Sequence, residues 1–118
     1  MEPRVVLVDD HAAFRAQARA LCEAHGLRVV GEAAAGAQAV ELVGRLAPDV
    51  VLLDIVLPDI DGFSVAEHLA ALPMAPQVIL LSTREASDYG TRVTDAPVRG
   101  FITKGELSGA TLARLIAR

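Results

Sequence analysis

Four short apolar runs recur along the chain, and each ends at a polar side chain. Val5-Val6-Leu7-Val8 leads into Asp9-Asp10, Val50-Val51-Leu52-Leu53 into Asp54, and Val78-Ile79-Leu80-Leu81 into Ser82-Thr83. Phe101-Ile102-Thr103 meets Lys104, the single lysine of the chain beside ten arginines. Short runs with no polar alternation predict strands buried on both faces, as in a parallel sheet.

Between these runs the pattern turns helical. From His11 to about Glu23, Phe14, Ala18, Leu21 and Cys22 share one face, and Gly26 closes that helix. Leu27–Ala33 predicts a second strand, and Gly36 opens a helix with Val40, Val43 and Leu46 inward, broken at Ala47-Pro48-Asp49. After the strand Val50–Asp54 and a turn-rich loop, Pro58-Asp59-Ile60-Asp61-Gly62, a third helix turns Val65, Ala66, Leu69 and Leu72 inward. Gln77–Ser82 forms the fourth strand. Arg84–Asp95 has the weakest helical pattern and carries Gly90, which predicts a short or mobile helix. A fifth strand, about Val98–Thr103, precedes a last helix from about Ser108 with Leu112, Leu115 and Ile116 inward. Five βα units joined by right-handed crossovers predict an α/β fold, (βα)5, whose five-stranded doubly wound parallel sheet has the order 2-1-3-4-5.

Composition narrows the function. The 118 residues, 53% of them hydrophobic and only 3% aromatic, predict one domain with an aliphatic core. No apolar run approaches the roughly 18 residues of a membrane span, and the first residues carry no signal-peptide pattern. The lone Cys22 cannot form an internal disulfide and falls on an inward helical face. These features predict a cytoplasmic protein without membrane contact. The net charge is −4 and the arginines are scattered, so direct nucleic acid contact by this chain is not expected.

In a doubly wound sheet the ligand site lies at the carboxyl ends of the strands, where strands one and three diverge. Asp9, Asp10 and Asp54 would meet there. Three neighbouring carboxylates resist ionising together unless a cation sits among them, and an oxygen-rich set of this kind suits Mg²⁺. Lys104 would face the other side of a bound anion. Asp54, ending the central strand, is the candidate nucleophile toward a phosphoryl donor, with Ser82 and the backbone at Thr83 as hydrogen-bond donors to the transferred group. Asp59 and Asp61 are expected to serve their own loop. His11 is expected at a helix start, and His25 and His68 in ordinary surface roles.

Taken in order, Val8-Asp9-Asp10-His11, Leu53-Asp54 through Asp61-Gly62, Leu81-Ser82-Thr83 and Gly100-Phe101-Ile102-Thr103-Lys104 resemble the response regulator receiver domain of two-component signalling. The resemblance covers essentially the whole chain. Val29-Val30-Gly31-Glu32-Ala33 and Asp9-Asp10-His11-Ala12-Ala13-Phe14-Arg15 make it most similar to receivers of the NarL/FixJ type. It implies a flavodoxin-like sheet and phosphorylation of Asp54 by a sensor histidine kinase or a histidine phosphotransfer protein. Mg²⁺ would be bound by Asp9, Asp10, Asp54 and the Val56 carbonyl. Ser82 would be the switch hydroxyl, Lys104 the partner of the phosphoryl group and Phe101 the switch aromatic.

The resemblance further implies a domain over residues 1–118 that changes its α4-β5-α5 surface and catalyses only its own phosphorylation and dephosphorylation. It allows a homodimer through the last helices and expects an output domain or partner protein, of which this chain holds none. Three departures stand out. Gly105 replaces the common proline after the lysine. Phe101 brings no hydroxyl where tyrosine is commoner. Val56 and Arg84 occupy the positions that tune loss of the phosphoryl group, which predicts slow autodephosphorylation. A receiver-like scaffold would not need all of Asp9, Asp10, Asp54, Ser82 and Lys104. A Mg²⁺-dependent phosphatase would carry an Asp-x-Asp after its first strand and a cap insertion, whereas here Asp9-Asp10-His11 follows and the loops are short.

Overall fold

The computed structural model describes residues 2–116; Met1, Ala117 and Arg118, at the limits of the expected domain, lie outside the described residues. Five strands, β1 (Arg4–Val8), β2 (Arg28–Ala33), β3 (Val50–Asp54), β4 (Gln77–Ser82) and β5 (Gly100–Thr103), form one parallel sheet in the order β2-β1-β3-β4-β5. Helices α1 (Ala12–Ala24), α2 (Gly36–Leu46), α3 (Gly62–Ala70) and α4 (Arg92–Asp95) lie in the four crossovers, and α5 (Gly109–Leu115) follows β5. The order and the five βα units agree with the sequence reading.

The apolar runs are strands because both of their faces are covered. Alternate side chains point to opposite faces. Val6, Val8, Val51, Leu53, Val78 and Leu80 pack with Ala39 and Val43 of α2 and with Phe63, Val65, Ala66 and Leu69 of α3. Val5, Leu7, Val50, Leu52, Ile79, Leu81 and Ile102 pack with Ala18 and Cys22 of α1 and with Leu112 and Ile116 at α5. Cys22 is a buried free thiol, and burial pushes its pKa up to about 11. It is therefore inert at neutral pH.

Local chemistry sets the helix ends. The Leu27 N–H donates to the Cys22 carbonyl at 2.9 Å, and Gly26 between them adopts φ +78°, so the chain leaves α1 through a left-handed turn. That bond explains why β2 begins at Arg28, one residue later than the pattern predicts. Asp61, expected to serve its own loop as a turn residue, caps α3 by accepting from the Ser64 N–H at 3.0 Å. Asp59 corrects the sequence reading. Instead of serving its own loop, it accepts from the Gly36 and Ala37 N–H groups at 2.7 and 3.0 Å, capping α2, whose own cap residue Ala35 offers no side-chain acceptor. Those bonds hold the Asp59 carboxyl below its usual pKa range.

The weakly patterned stretch becomes a 3₁₀ turn, Ala86–Tyr89, followed by the four-residue α4, and neither contains a buried residue. β5 is shorter than expected because Ala96-Pro97-Val98 forms a tight turn, the Val98 N–H donating to the Ala96 carbonyl at 2.8 Å. Among the described residues every peptide is trans, and no helix is long and apolar enough to cross a membrane.

Gly62 fixes the approach of α3 to the sheet. A Cβ there would lie 2.6 Å from both the Asp54 carbonyl oxygen and the Ile55 Cα, main-chain atoms that cannot swing aside. Gly62→Ala is expected to lower unfolding free energy by about 1–3 kcal/mol, the usual cost of overpacking. Urea denaturation with an unchanged midpoint would show that the loop yields.

Candidate functional site

Strand register brings the polar strand ends together. Val8 pairs with Leu53, Asp54 with Leu81 and Ser82 with Thr103, so Asp9, Asp54, Ser82 and Lys104 follow one another along the carboxyl edge. Asp9 and Asp54 are 2% and 3% exposed, whereas Asp10 lies at the surface. The Lys104 ammonium stands 2.6 Å from Asp9 Oδ2 and 3.2 Å from Asp54 Oδ2. Its other side rests over the Phe14 ring, 4.5 Å from the centroid.

Asp9 is held from several sides. Its Oδ1 accepts from the His11 N–H at 2.8 Å, and its main-chain carbonyl accepts from Arg15 at 2.5 Å. Arg15 and Arg19 both pair with Glu32, at 2.9 and 2.8 Å, which ties α1 to β2 beneath the site. Burial works against the charge of Glu32, but its two arginines win and lower its pKa. His11 stands at the start of α1 as expected, with Nδ1 3.1 Å from both Asp9 Oδ1 and Asp10 Oδ1.

Burial and then the neighbouring Asp9 charge raise the Asp54 pKa, opposed by Lys104 and by the Val56 N–H, which donates to Asp54 Oδ1 at 3.2 Å. Burial also works against the charge of Lys104, but its carboxylate partners prevail and raise its pKa. Asp9 Oδ2 is buried and receives no well-aligned hydrogen bond, despite the nearby ammonium. Ligand atoms of Asp9, Asp10, His11 and Asp54 all lie within 4.8 Å of one another. A cation bound among them would answer the repulsion between the carboxylates.

Val56 is 65% exposed at the rim, and Thr83 and Arg84 are exposed beyond β4. Ser82 and Phe101 hold a surprise. Ser82 Oγ makes no bond to Asp54; it lies 2.6 Å from the Tyr89 hydroxyl and accepts from the Arg84 N–H at 3.0 Å. Phe101 is half-buried, with its ring centroid 6.2 Å from that of Tyr89. Sequence reasoning missed Tyr89, Arg15 and Glu32 as parts of the site, and took Phe14 only as a helix-face residue. The one available signal for Tyr89 was its being the only tyrosine, in the least patterned stretch of the chain.

With this geometry in view, comparison with known proteins is decisive. The family model described as "Response regulator receiver domain" matches residues 5–116. The chain belongs to that family, the receiver domains of two-component response regulators. It is 35% identical over 103 residues to the response regulator GacA of Pseudomonas aeruginosa, covering 86% of this chain and 48% of GacA. The signal receiver domain of NarL from Mycobacterium tuberculosis superposes with a TM-score of 0.84 at 34% identity, over 99% of this chain and 98% of that one. The receiver domain of a sensor histidine kinase from Pseudomonas aeruginosa, solved with a magnesium ion coordinated in its active-site cleft, has a TM-score of 0.82 at 26% identity, over 98% and 95% of the two chains. The chain spans about half the length of curated relatives such as GacA.

The raised Asp54 pKa carries a stability consequence. A carboxyl whose folded pKa exceeds its unfolded value favours folding below that unfolded value, near 3.8, and loses that contribution as pH rises through the folded pKa. At neutral pH without a divalent cation, the Asp54 charge therefore opposes folding. In the presence of a chelator at pH 7, Asp54→Asn should raise Tm by roughly 3–6 °C, the shift that about 1 kcal/mol produces at this length. The gap should narrow as pH falls toward 4. Scanning calorimetry showing an equal or lower Tm for the variant would contradict this account.

Proposed function

We propose that the domain is a phosphorylation-dependent signalling switch in which Asp54 accepts a phosphoryl group from the phosphohistidine of a sensor histidine kinase or a histidine phosphotransfer protein. The observation that carries this reading is the meeting of Lys104 with Asp9 and Asp54, at 2.6 and 3.2 Å, on the edge where buried strands end. An Asp54 carboxylate oxygen attacks phosphorus. The bond from phosphorus to the donor imidazole breaks, and that nitrogen regains its electron pair and takes a proton from solvent. Lys104 neutralises phosphoryl oxygens, while the Ser82 hydroxyl and the Thr83 backbone N–H donate to them.

Asp9, Asp10, Asp54 and the Val56 carbonyl would hold Mg²⁺. The clustered oxygens of Asp9, Asp10 and Asp54 fit a hard divalent cation. Bound there, it supplies the charge that offsets carboxylate repulsion and phosphoryl charge. The magnesium in the related histidine kinase receiver supports this reading.

The domain catalyses only its own phosphorylation and dephosphorylation, in the cytoplasm. Its output passes through Phe101 and the surface of α4, β5 and α5, to an output domain that controls transcription or to a partner protein. The likeness to the Bordetella pertussis virulence-factor transcription regulator BvgA, 31% identical over 106 residues, supports a transcriptional output.

Intact mass after incubation with Mg²⁺ and acetyl phosphate tests the reading. One added phosphoryl group is expected on the parent and none on Asp54→Ala. No adduct on the parent, from either acetyl phosphate or a phosphohistidine donor, would leave a constitutive docking scaffold instead. The exposed, apolar Val56 directly beside Asp54, with Arg84 two residues after Ser82, supports a long-lived acyl phosphate. Val56→Asn should release phosphate faster than the parent, and an unchanged half-life would remove Val56 from that role.

A further inference from the structure

We infer that Tyr89 is a latch that holds Ser82, and with it the 3₁₀ turn and α4, in the resting conformation. The inference rests on the phosphoacceptor reading above. Ser82 Oγ lies 2.6 Å from Tyr89 Oη while accepting from the Arg84 N–H at 3.0 Å. A serine hydroxyl has one proton and two lone pairs. If Ser82 donates to Tyr89, its proton is committed. If Tyr89 donates instead, both Ser82 lone pairs are filled and Oγ stays anchored on the Tyr89 side, where it makes no bond to Asp54. In the first arrangement Ser82 can donate to a phosphoryl group on Asp54 only by leaving Tyr89; in the second its proton stays free and Tyr89 restrains the position of Oγ.

The consequence travels outward because the segment is held by partly buried contacts alone, those of Tyr89, Val93 and Ala96 against the core. Neither the 3₁₀ turn nor α4 contains a buried residue, and Thr91 caps α4 with no side-chain bond. The Tyr89 ring is wedged between Phe63, edge-on at 5.6 Å, and Phe101 at 6.2 Å. The Arg92 guanidinium stands over the Phe63 ring, 4.3 Å from its centroid and 3.4 Å from Asp61. Loss of the hydroxyl bond frees the ring on which Phe63, Phe101 and, through Phe63, Arg92 are seated. Tyr89 thus supplies, from another element, the reporting hydroxyl that Phe101 lacks.

Because the bond exists only in the resting state, removing it shifts the equilibrium toward the state that binds a phosphoryl group. Tyr89 is the only tyrosine and the chain has no tryptophan, so its emission reports this one ring. The experiment titrates beryllofluoride, a phosphoryl mimic, with Mg²⁺ into the parent, Ser82→Ala and Tyr89→Phe. Fluorescence is followed in the first two and calorimetry in all three, with acetyl phosphate adducts weighed in parallel. The parent's emission should change on binding. Ser82→Ala should start with its emission already displaced and respond little. Tyr89→Phe, which keeps the packed ring, should bind roughly three- to tenfold more tightly, the factor expected from losing one ordinary hydrogen bond. If the parent takes up phosphoryl group and mimic with unchanged emission, and Tyr89→Phe binds with the parent's affinity, the latch is wrong and the phosphoacceptor reading stands. If the parent takes up neither, the phosphoacceptor reading fails and the latch falls with it.

Discussion

Two carboxylates stand at the ends of apolar strand runs, and the structure tolerates them there because the chain's only lysine reaches both of them. A buried ionised carboxylate without a partner costs several kcal/mol, so Asp9 and Asp54 could not share this edge unaided. Lys104 offsets part of that cost and leaves part standing: the Asp54 pKa stays raised, and Asp9 Oδ2 lacks an aligned donor. The remainder is what a phosphoryl-transfer site needs. A site fully neutralised at rest would have little to gain from a cation or an anion, whereas this one is short of positive charge before either arrives.

Everything that positions the trio is rigid on one side and yielding on the other. Toward β2, Arg15 grips the Asp9 carbonyl and shares Glu32 with Arg19, while α1, α2 and α3 bury apolar faces against the sheet. Toward β5, the connection from β4 is a single 3₁₀ turn and a four-residue helix with no fully buried side chain, held by partly buried contacts of Tyr89, Val93 and Ala96. Elements with so few buried contacts open at low free-energy cost. The chemistry therefore sits between a fixed wall and a movable one, and Ser82, bonded to Tyr89 rather than to Asp54, stands at the boundary. A switch needs that asymmetry, because a site equally firm on both sides would bind its ligand without passing the event on.

Most of the fold was legible because burial on both faces leaves a plain mark. Val50–Asp54 and Gln77–Ser82 are apolar runs with abrupt polar ends, and a parallel sheet aligns those ends whatever the helices between them do. Gly26 was equally readable, since a left-handed turn at a helix end depends on residues close in sequence, whereas Asp61, read as a turn residue, proved to be the cap of α3. Asp9, Asp54 and Lys104 could be placed together for the same reason: strand order and register bring them to one edge.

Only the tertiary structure decided which partner each polar group chose. Asp59 caps α2 across 23 residues of chain, and Arg15 finds Glu32 across 17, in pairings that no local periodicity encodes. Tyr89 is just seven residues from Ser82, yet its stretch lacks the repeating pattern from which a side-chain direction can be read. The sequence by itself determined the strands, their order and the polar residues at their ends, because those follow from burial and chain connectivity. The direction of the Ser82 hydroxyl and the wedging of Tyr89 between Phe63 and Phe101 were decided only when the packed elements met. Hydrogen bonds depend on ångström-scale placement, and placement of that kind exists only in the folded state.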